Sequence, residues 1–488
     1  SPRGDSSRGG QRLLINALYY GCPCTSCSSI SNSTPPEAVF SPDVLEGFLH
    51  KIYDGFDVSN DIEPTAWREV LRIMNSGAVQ GLSESVNPPT HEEGFLRSIR
   101  HSNEVFSVFK THAMGTKMAE RLIGEDGKLR SFEEWRKAVA PIARHQVGSW
   151  LRTEYDTAVI RAHQAADWLE FEANKDIFPN LQWMPTTSVS PESSHQVFWS
   201  KPVILPVDDP FWQEHRPGDR WNCKCSLDAT DADVQRLDPQ ERKEAAKPEH
   251  QAQRGLEGNP AYKGLITDKH PYYPESCAKC PFYSSKGIKG WVRKHLSNRV
   301  KDCHNCPYVD KVIHETSAKP PLSETYTEVE GYEGKIYVSP HHLKTELDEN
   351  VRVAKILTEV LGEKVYLLPY VDPSDKDAKS RRAILHPPGV VERKNPDYLI
   401  GGRLFDAKVM KDKPEILDAE QQKGKLHNKI SAAKAQATHF AIEIPSNYDM
   451  KVVTAYVNNY LERSSKERII VIIHKGKAHV FETKKGKP

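Results

Sequence analysis

Pro396-Asp397-Tyr398-Leu399-Ile400-Gly401-Gly402-Arg403-Leu404-Phe405-Asp406-Ala407-Lys408-Val409 carries the most readable geometry in the chain. Two strand-like runs flank a Gly-Gly pair, the signal for a two-residue hairpin. With Gly401 and Gly402 as the turn, Ile400 pairs with Arg403, Leu399 with Leu404 and Tyr398 with Phe405. Asp397 then falls opposite Asp406. Opposed residues share a sheet face, and Lys408, two residues past Asp406, lies on that face too. Two carboxylates and a lysine therefore converge. Like charges set opposite one another destabilise a hairpin unless a proton or a cation intervenes. Mg²⁺ or another divalent ion held by oxygens resolves the conflict. Such an ion also activates water and stabilises charge on a phosphate, while the lysine offsets charge on the phosphoryl oxygens. The plainer reading is an ordinary hairpin with polar residues outside and Tyr398, Phe405 and Val409 inside. The hairpin alone leaves both open.

The flanks read as mixed α/β from about Tyr332 onward. Ile336–Val338 forms a strand, and Leu347, Val351, Ala354 and Leu357 mark a helix ended by Gly362. A strand follows at 365–368, then a basic, loop-like stretch at 372–395 with Lys376, Lys379, Arg381 and Arg382. After the hairpin, Leu426, Ile430, Ala433 and Ala437 recur at helical spacing, with Lys425, Lys429 and Gln436 on another side. Strands at 439–444, 469–473 and 478–481 and a helix at 452–461 complete the pattern. Residues 466–488 hold seven Lys or Arg against two Glu, a net of +5, suited to phosphates.

This arrangement resembles the PD-(D/E)XK nuclease superfamily, in particular the tRNA-cleaving C-terminal domains of contact-dependent growth inhibition toxins. Pro396-Asp397 matches the first motif and Asp406-Ala407-Lys408 the second. The resemblance implies a restriction-endonuclease-like α/β domain over 330–488 and metal-dependent cleavage of tRNA or DNA. It also implies a divalent ion at Asp397 and Asp406, and an immunity protein as partner. A glutamate on the first helix is usual. Glu349 is the choice, since it precedes Val353, Ile356 and Val360 on one face, and Glu346 is nearly as good. Lys429 and Gln436 match the polar positions of the later helix.

Ahead of this domain lie two matched half-sites, Cys277-Ala-Lys-Cys280-Pro-Phe and Cys303-His-Asn-Cys306-Pro-Tyr, with 22 residues between Cys280 and Cys303. Two close thiolate pairs suit a structural four-sulfur zinc with no place for water; two disulfides are the alternative. Trp291, Val292, His295 and Leu296 suggest a short helix between them. Lys286, Lys289, Arg293, Lys294, Arg299 and Lys301 give the region, 266–325, a basic surface. Residues 231–265 are charged and read as an exposed linker or a solvated helix.

Residues 39–230 read as mainly helical. Phe48, Ile52, Tyr53 and Phe56 form one stripe, Trp67, Val70, Leu71 and Met74 another, and Pro141 suits the first turn of a helix. At 179–230 the periodicity stops. A short strand is expected at 203–205. His195, Cys223 and Cys225 read either as metal ligands or as a buried histidine with two thiols. Arg152-Thr153-Glu154, then Pro191 to His195, Asp208-Asp209-Pro210-Phe211-Trp212 and Trp221-Asn222-Cys223-Lys224-Cys225 resemble the phage Mu F-like minor head, or head morphogenesis, proteins. Thr187, Ser188 and Val189 stand where that family has an Asp and a basic residue. The resemblance implies portal and head proteins as partners and a role in head assembly or DNA packaging. It implies location in the virion head, and in the bacterial cytoplasm during assembly. A purely structural head protein, whose rear domain binds nucleic acid or a partner without cutting, is the alternative.

The whole-chain figures bound these readings. There are 488 residues, room for about three domains. Lys plus Arg number 67 and Asp plus Glu 66, a net charge of +1, so nucleic acid would have to meet a local patch. No apolar run approaches the ~20 residues that span a bilayer. Residues 1–38, with Cys22, Cys24 and Cys27, read as a flexible polar segment rather than a signal peptide. The clustering of nine cysteines suits metal chelation better than long disulfide staples. The expected architecture is multidomain: a mainly α front, a small four-cysteine zinc-knuckle region and a rear α/β domain.

Overall fold

The computed structural model describes residues 35–84, 93–186, 193–283, 299–320, 326–376, 378–387, 390–391, 393–412, 415–464 and 466–483. Cys22, Cys24, Cys27, residues 187–189, most of the segment between Cys280 and Cys303, and Lys484, Lys485 and Lys487 lie outside them. The chain divides into two units. One comprises Ser1–Ser41, Lys51–Asp61 and Glu69–Asp310, the other Pro42–His50, Ile62–Arg68 and Lys311–Pro488.

The front of the chain is helical: α1 (Pro42–Tyr53), α2 (Pro64–Glu84), α3 (Glu93–Ala119), α4 (Phe132–Ala143) and α5 (Trp150–Ala173). The apolar stripes face inward, with Phe48, Ile52, Trp67, Val70 and Met74 all buried. Ser131 starts α4 with a capping box, accepting from the Glu134 N–H while the Glu134 carboxylate accepts from the Ser131 N–H. That cap fixes the helix start, so Pro141 sits near the C-terminal end of α4 and not in a first turn. A proline there removes one i→i−4 bond, and the chain continues through a π-type turn, Arg144–Ser149, into α5.

Beyond α5, β1 (Asn180–Met184), β2 (Ile204–Pro206) and β3 (Ser226–Thr230) form an antiparallel sheet in the order β2-β1-β3. Trp183 anchors it, stacked on Phe198 with ring centroids 4.7 Å apart. Residues 231–265, expected as an exposed linker or a solvated helix, hold a largely exposed helix followed by buried anchors. Asp238 caps α6 (Pro239–Ala245), and Leu256, Leu265 and Ile266 are buried. The buried Arg161 of α5 holds this segment in place. Its Nη1 donates to the carbonyls of Gly218 (2.8 Å) and Leu256 (2.9 Å), and its Nη2 to that of Gly258 (3.3 Å). Few apolar residues suffice here because a buried guanidinium gathers backbone carbonyls from two loops.

A helix the sequence reading did not anticipate, α7 (Pro307–Ala318), follows the last cysteine. The second unit is then built on one eight-stranded mixed sheet. Its strands are β4 (Thr327–Glu328), β5 (Ile336–Val338), β6 (Val365–Leu367), β7 (Tyr398–Ile400), β8 (Arg403–Val409), β9 (His439–Ile444), β10 (Ile469–His474) and β11 (Lys477–Glu482), in the order β11-β10-β9-β8-β7-β6-β5-β4. Pairs β5/β6, β8/β9 and β9/β10 are parallel; the rest are antiparallel. Helices α8 (Leu347–Leu361), α9 (Ala378–Leu385), α10 (Ala419–Lys434) and α11 (Met450–Glu462) belong to the unit, with parts of α1, α2 and α7. Gly362 ends α8 in the left-handed conformation, φ 69°.

Period-two alternation sorts the side chains into two cores. Ile469, Val471 and Ile473 of β10 join Tyr398, Phe405 and the Val353, Ala354 and Leu357 stripe of α8. Ile470 and Ile472 join Phe440, Ile442, Leu426, Ile430 and Val457 beneath α10 and α11. The stretch at 372–395, expected as loop, contains α9. Arg382 on that helix braces the neighbouring turns, donating to the carbonyls of Lys394 (2.6 Å) and Val371 (2.8 Å) and to Asn395 Oδ1 (3.1 Å). No described helix is long and apolar enough to cross a membrane.

Candidate functional site: a cleft over two paired carboxylates

The hairpin has the counted register: Tyr398 pairs with Phe405, Leu399 with Leu404 and Ile400 with Arg403. Gly401 and Gly402 both take positive φ, 54° and 77°, as a tight primed turn requires. Across the parallel pair, Asp406 sits beside Phe440 and Lys408 beside Ile442. Asp406 and Lys408 thus face the α10 and α11 side, opposite the face that α8 covers.

Asp406 is 1% exposed, and its Oδ2 lies 2.5 Å from Lys408 Nζ. Asp397 is half-buried. Its Oδ2 accepts from the Ala407 N–H at 2.7 Å, and its Oδ1 lies at the limit of a hydrogen bond, 3.5 Å, from Asn350 Nδ2. Burial pushes the Asp406 carboxyl up to about 8, and the Asp397 charge adds to the rise against Lys408. Burial also raises Asp397, opposed by the Ala407 N–H and by Lys408. Two adjacent acids in low dielectric cannot both ionise cheaply. A divalent cation in the same place would meet the same electrostatic demand with hard oxygen donors.

A cleft of about 290 Å³ opens on the pair, lined among others by His342, Glu346, Arg393, Lys394, Asn395, Asp397, Asp406, Lys408 and Gln436. Of the residues expected from sequence, Asp397, Asp406, Lys408 and Gln436 meet here. Glu349 does not: it is exposed on α8 and lines no part of the cleft. Helix α8 packs on the Tyr398 and Phe405 face, and Glu346 at its N-cap lines the cleft instead. Lys429 lies in a neighbouring groove with Lys411, Glu415 and Lys425. Gln436, just past the end of α10, accepts from the Asn395 N–H at 3.2 Å through Oε1.

Sequence reading missed several neighbours. His342 bonds the Leu368 carbonyl through Nδ1 (2.6 Å) and Asn350 through Nε2 (3.1 Å). Arg393 takes φ 65° at the cleft wall, a strained value for arginine. Arg393-Lys394 immediately ahead of Asn395-Pro396-Asp397 was the signal available for the basic wall.

The four cysteines of the half-sites share one neighbourhood. Cys280 feels the charges of Cys306 and Cys277, and Cys303 those of Cys280 and Cys306. All are thiols. They are not among the groups of three or more ligand atoms gathered within 4.8 Å of one another in the described residues. His195, Cys223 and Cys225 form such a group, and Glu244, Glu249 and His250 another.

No curated protein and no solved structure matches the chain. Over residues 394–478, which carry β7 to β10, both carboxylates, Lys408, Lys429 and Gln436, the chain is similar to the contact-dependent growth inhibition CdiA C-terminal domain.

Proposed function

We propose that the rear unit is a toxin domain that hydrolyses phosphodiester bonds with a divalent ion, tRNA first among its substrates. One observation carries this reading: two paired carboxylates, Asp397 and Asp406, with Lys408 at 2.5 Å from the second, at the floor of a basic-walled cleft. The donor set fits a hard cation, since acids of raised pKa are short of positive charge. Asp397 and Asp406 would hold Mg²⁺, with Glu346 as the third acid. Bound there, such an ion supplies an activated water and charge relief at the phosphate. Lys408 would orient the water, and Arg393 and Lys394 would meet the backbone. An immunity protein would protect the producing cell by covering this cleft.

The test is incubation of the purified full chain with tRNA, single-stranded RNA and duplex DNA, with Mg²⁺ and with chelator. Cleavage should need the ion. Glu346→Gln should slow it about tenfold or more, while Glu349→Gln should leave it within about twofold. A larger loss in the Glu349 variant would put the acid where sequence alone had placed it. A chain that binds these nucleic acids but cuts none of them would support the binding-module alternative.

The front unit would act as the carrier, a phage minor head domain. This rests on the order of the Asp208-to-Trp212 and Trp221-to-Cys225 motifs; the comparisons add nothing to it. Mass spectrometry of purified virions should find the protein at low copy number. Its absence from both heads and procapsids would remove the head assignment and leave the toxin reading standing. The four half-site cysteines would close on a structural zinc. Metal analysis should then find an equivalent that Cys280→Ser removes, and disulfide mapping that pairs these thiols would refute it.

A further inference from the structure

We infer that His195, Cys223 and Cys225 hold a second zinc ion in the front unit, with water as its fourth ligand. His195 lies where the turn Ser193–His195 runs into a short helix, and the two cysteines immediately precede β3. All three are buried. His195 Nδ1 lies 3.3 Å from Cys223 Sγ and 3.8 Å from Cys225 Sγ. In a tetrahedral site with Zn–N of about 2.0 Å and Zn–S of about 2.3 Å, nitrogen and sulfur sit about 3.5 Å apart. The two distances bracket that value. The two sulfurs also meet each other, and all three ligand atoms lie within 4.8 Å of one another, close enough for one ion.

The surroundings have the form of a metal-binding histidine's support. His195 Nε2 meets Asp219 Oδ1 at 2.7 Å, and Asp219 is itself buried and accepts from the Arg216 N–H at 3.3 Å. With its proton held by Asp219, the ring turns its Nδ1 lone pair toward the sulfurs. Asn222 takes a left-handed φ of 60°, the turn that aims both thiols the same way. Beside them is a cavity of about 30 Å³, lined in part by Cys223, Cys225, His163 and Trp168, room for roughly one water. The inference is independent of the nuclease reading.

The full chain should be dialysed against zinc, and separately against cobalt. X-ray absorption at the zinc edge should show imidazole scattering beside sulfur. Cys223→Ser should lose one metal equivalent and weaken the thiolate-to-cobalt charge-transfer band. Asp219→Asn should keep the band but bind about 10–100-fold more weakly. Zinc bound with sulfur scattering alone, or no zinc bound at all, would overturn the inference without recourse to any variant. So would a folded Cys223→Ser protein with unchanged metal content.

Discussion

Asp406→Ala should lower cleavage by about 10³-fold or more while leaving the rear unit folded. Asp406 meets Lys408 and the Asp397 side of the hairpin, and alanine removes half of the proposed ion seat together with the lysine's anchor. The β8 backbone pairs on both sides whatever the side chain, so the strand should survive. Lys408→Ala separates the two roles. It should keep ion affinity, because both carboxylates remain, and lose about 10²-fold in rate. Isothermal titration with Mn²⁺ or Mg²⁺, beside a tRNA cleavage assay, reads both quantities. Cleavage undiminished in the Asp406 variant would mean that any activity resides elsewhere.

Asp406→Asn should make the metal-free protein more stable above neutral pH, although it destroys the same seat. The carboxyl's ordinary value is 3.8, and in the fold burial raises it to about 8. Between those values the folded state keeps a proton that the unfolded chain has released. Stability therefore falls as pH rises through this window. Asparagine keeps the shape and removes the charge, so the melting temperature of the rear unit should rise by several degrees. Mg²⁺ should reverse the ranking, stabilising the native protein through binding and leaving the variant unmoved. Melting curves at pH 5 and pH 8, with and without Mg²⁺, check this. A native protein that gains stability from pH 5 to 8 without metal, through this pair, would contradict it.

Local rules made the hairpin legible. A Gly-Gly turn and a period of two fix which residues face each other, so the opposition of Asp397 and Asp406 follows from counting. The choice between Glu346 and Glu349 was not local. Both open the same helix, and what separates them is the face on which α8 packs, which depends on Tyr398 and Phe405 some fifty residues later. Lys429 falls in a neighbouring groove for a related reason: the apolar stripe of α10 fixes its buried side, but not how far along the sheet each exposed residue falls. The bracing roles of Arg161 and Arg382 carry no sequence signal, because most of their partners are backbone carbonyls, which no residue letter announces. For the same reason the buried anchors after residue 249 were not legible, although the solvated helix ahead of them was.

In the rear unit every strand lies beside its predecessor in the chain, from β4 at one edge to β11 at the other. Such a sheet has no late strand that must be threaded between two earlier ones. It can lengthen by accretion, each arriving segment finding its edge already waiting. A chain that had to be drawn out through a narrow passage and then rebuild itself would profit from this order, because reassembly could begin at whichever end emerged first.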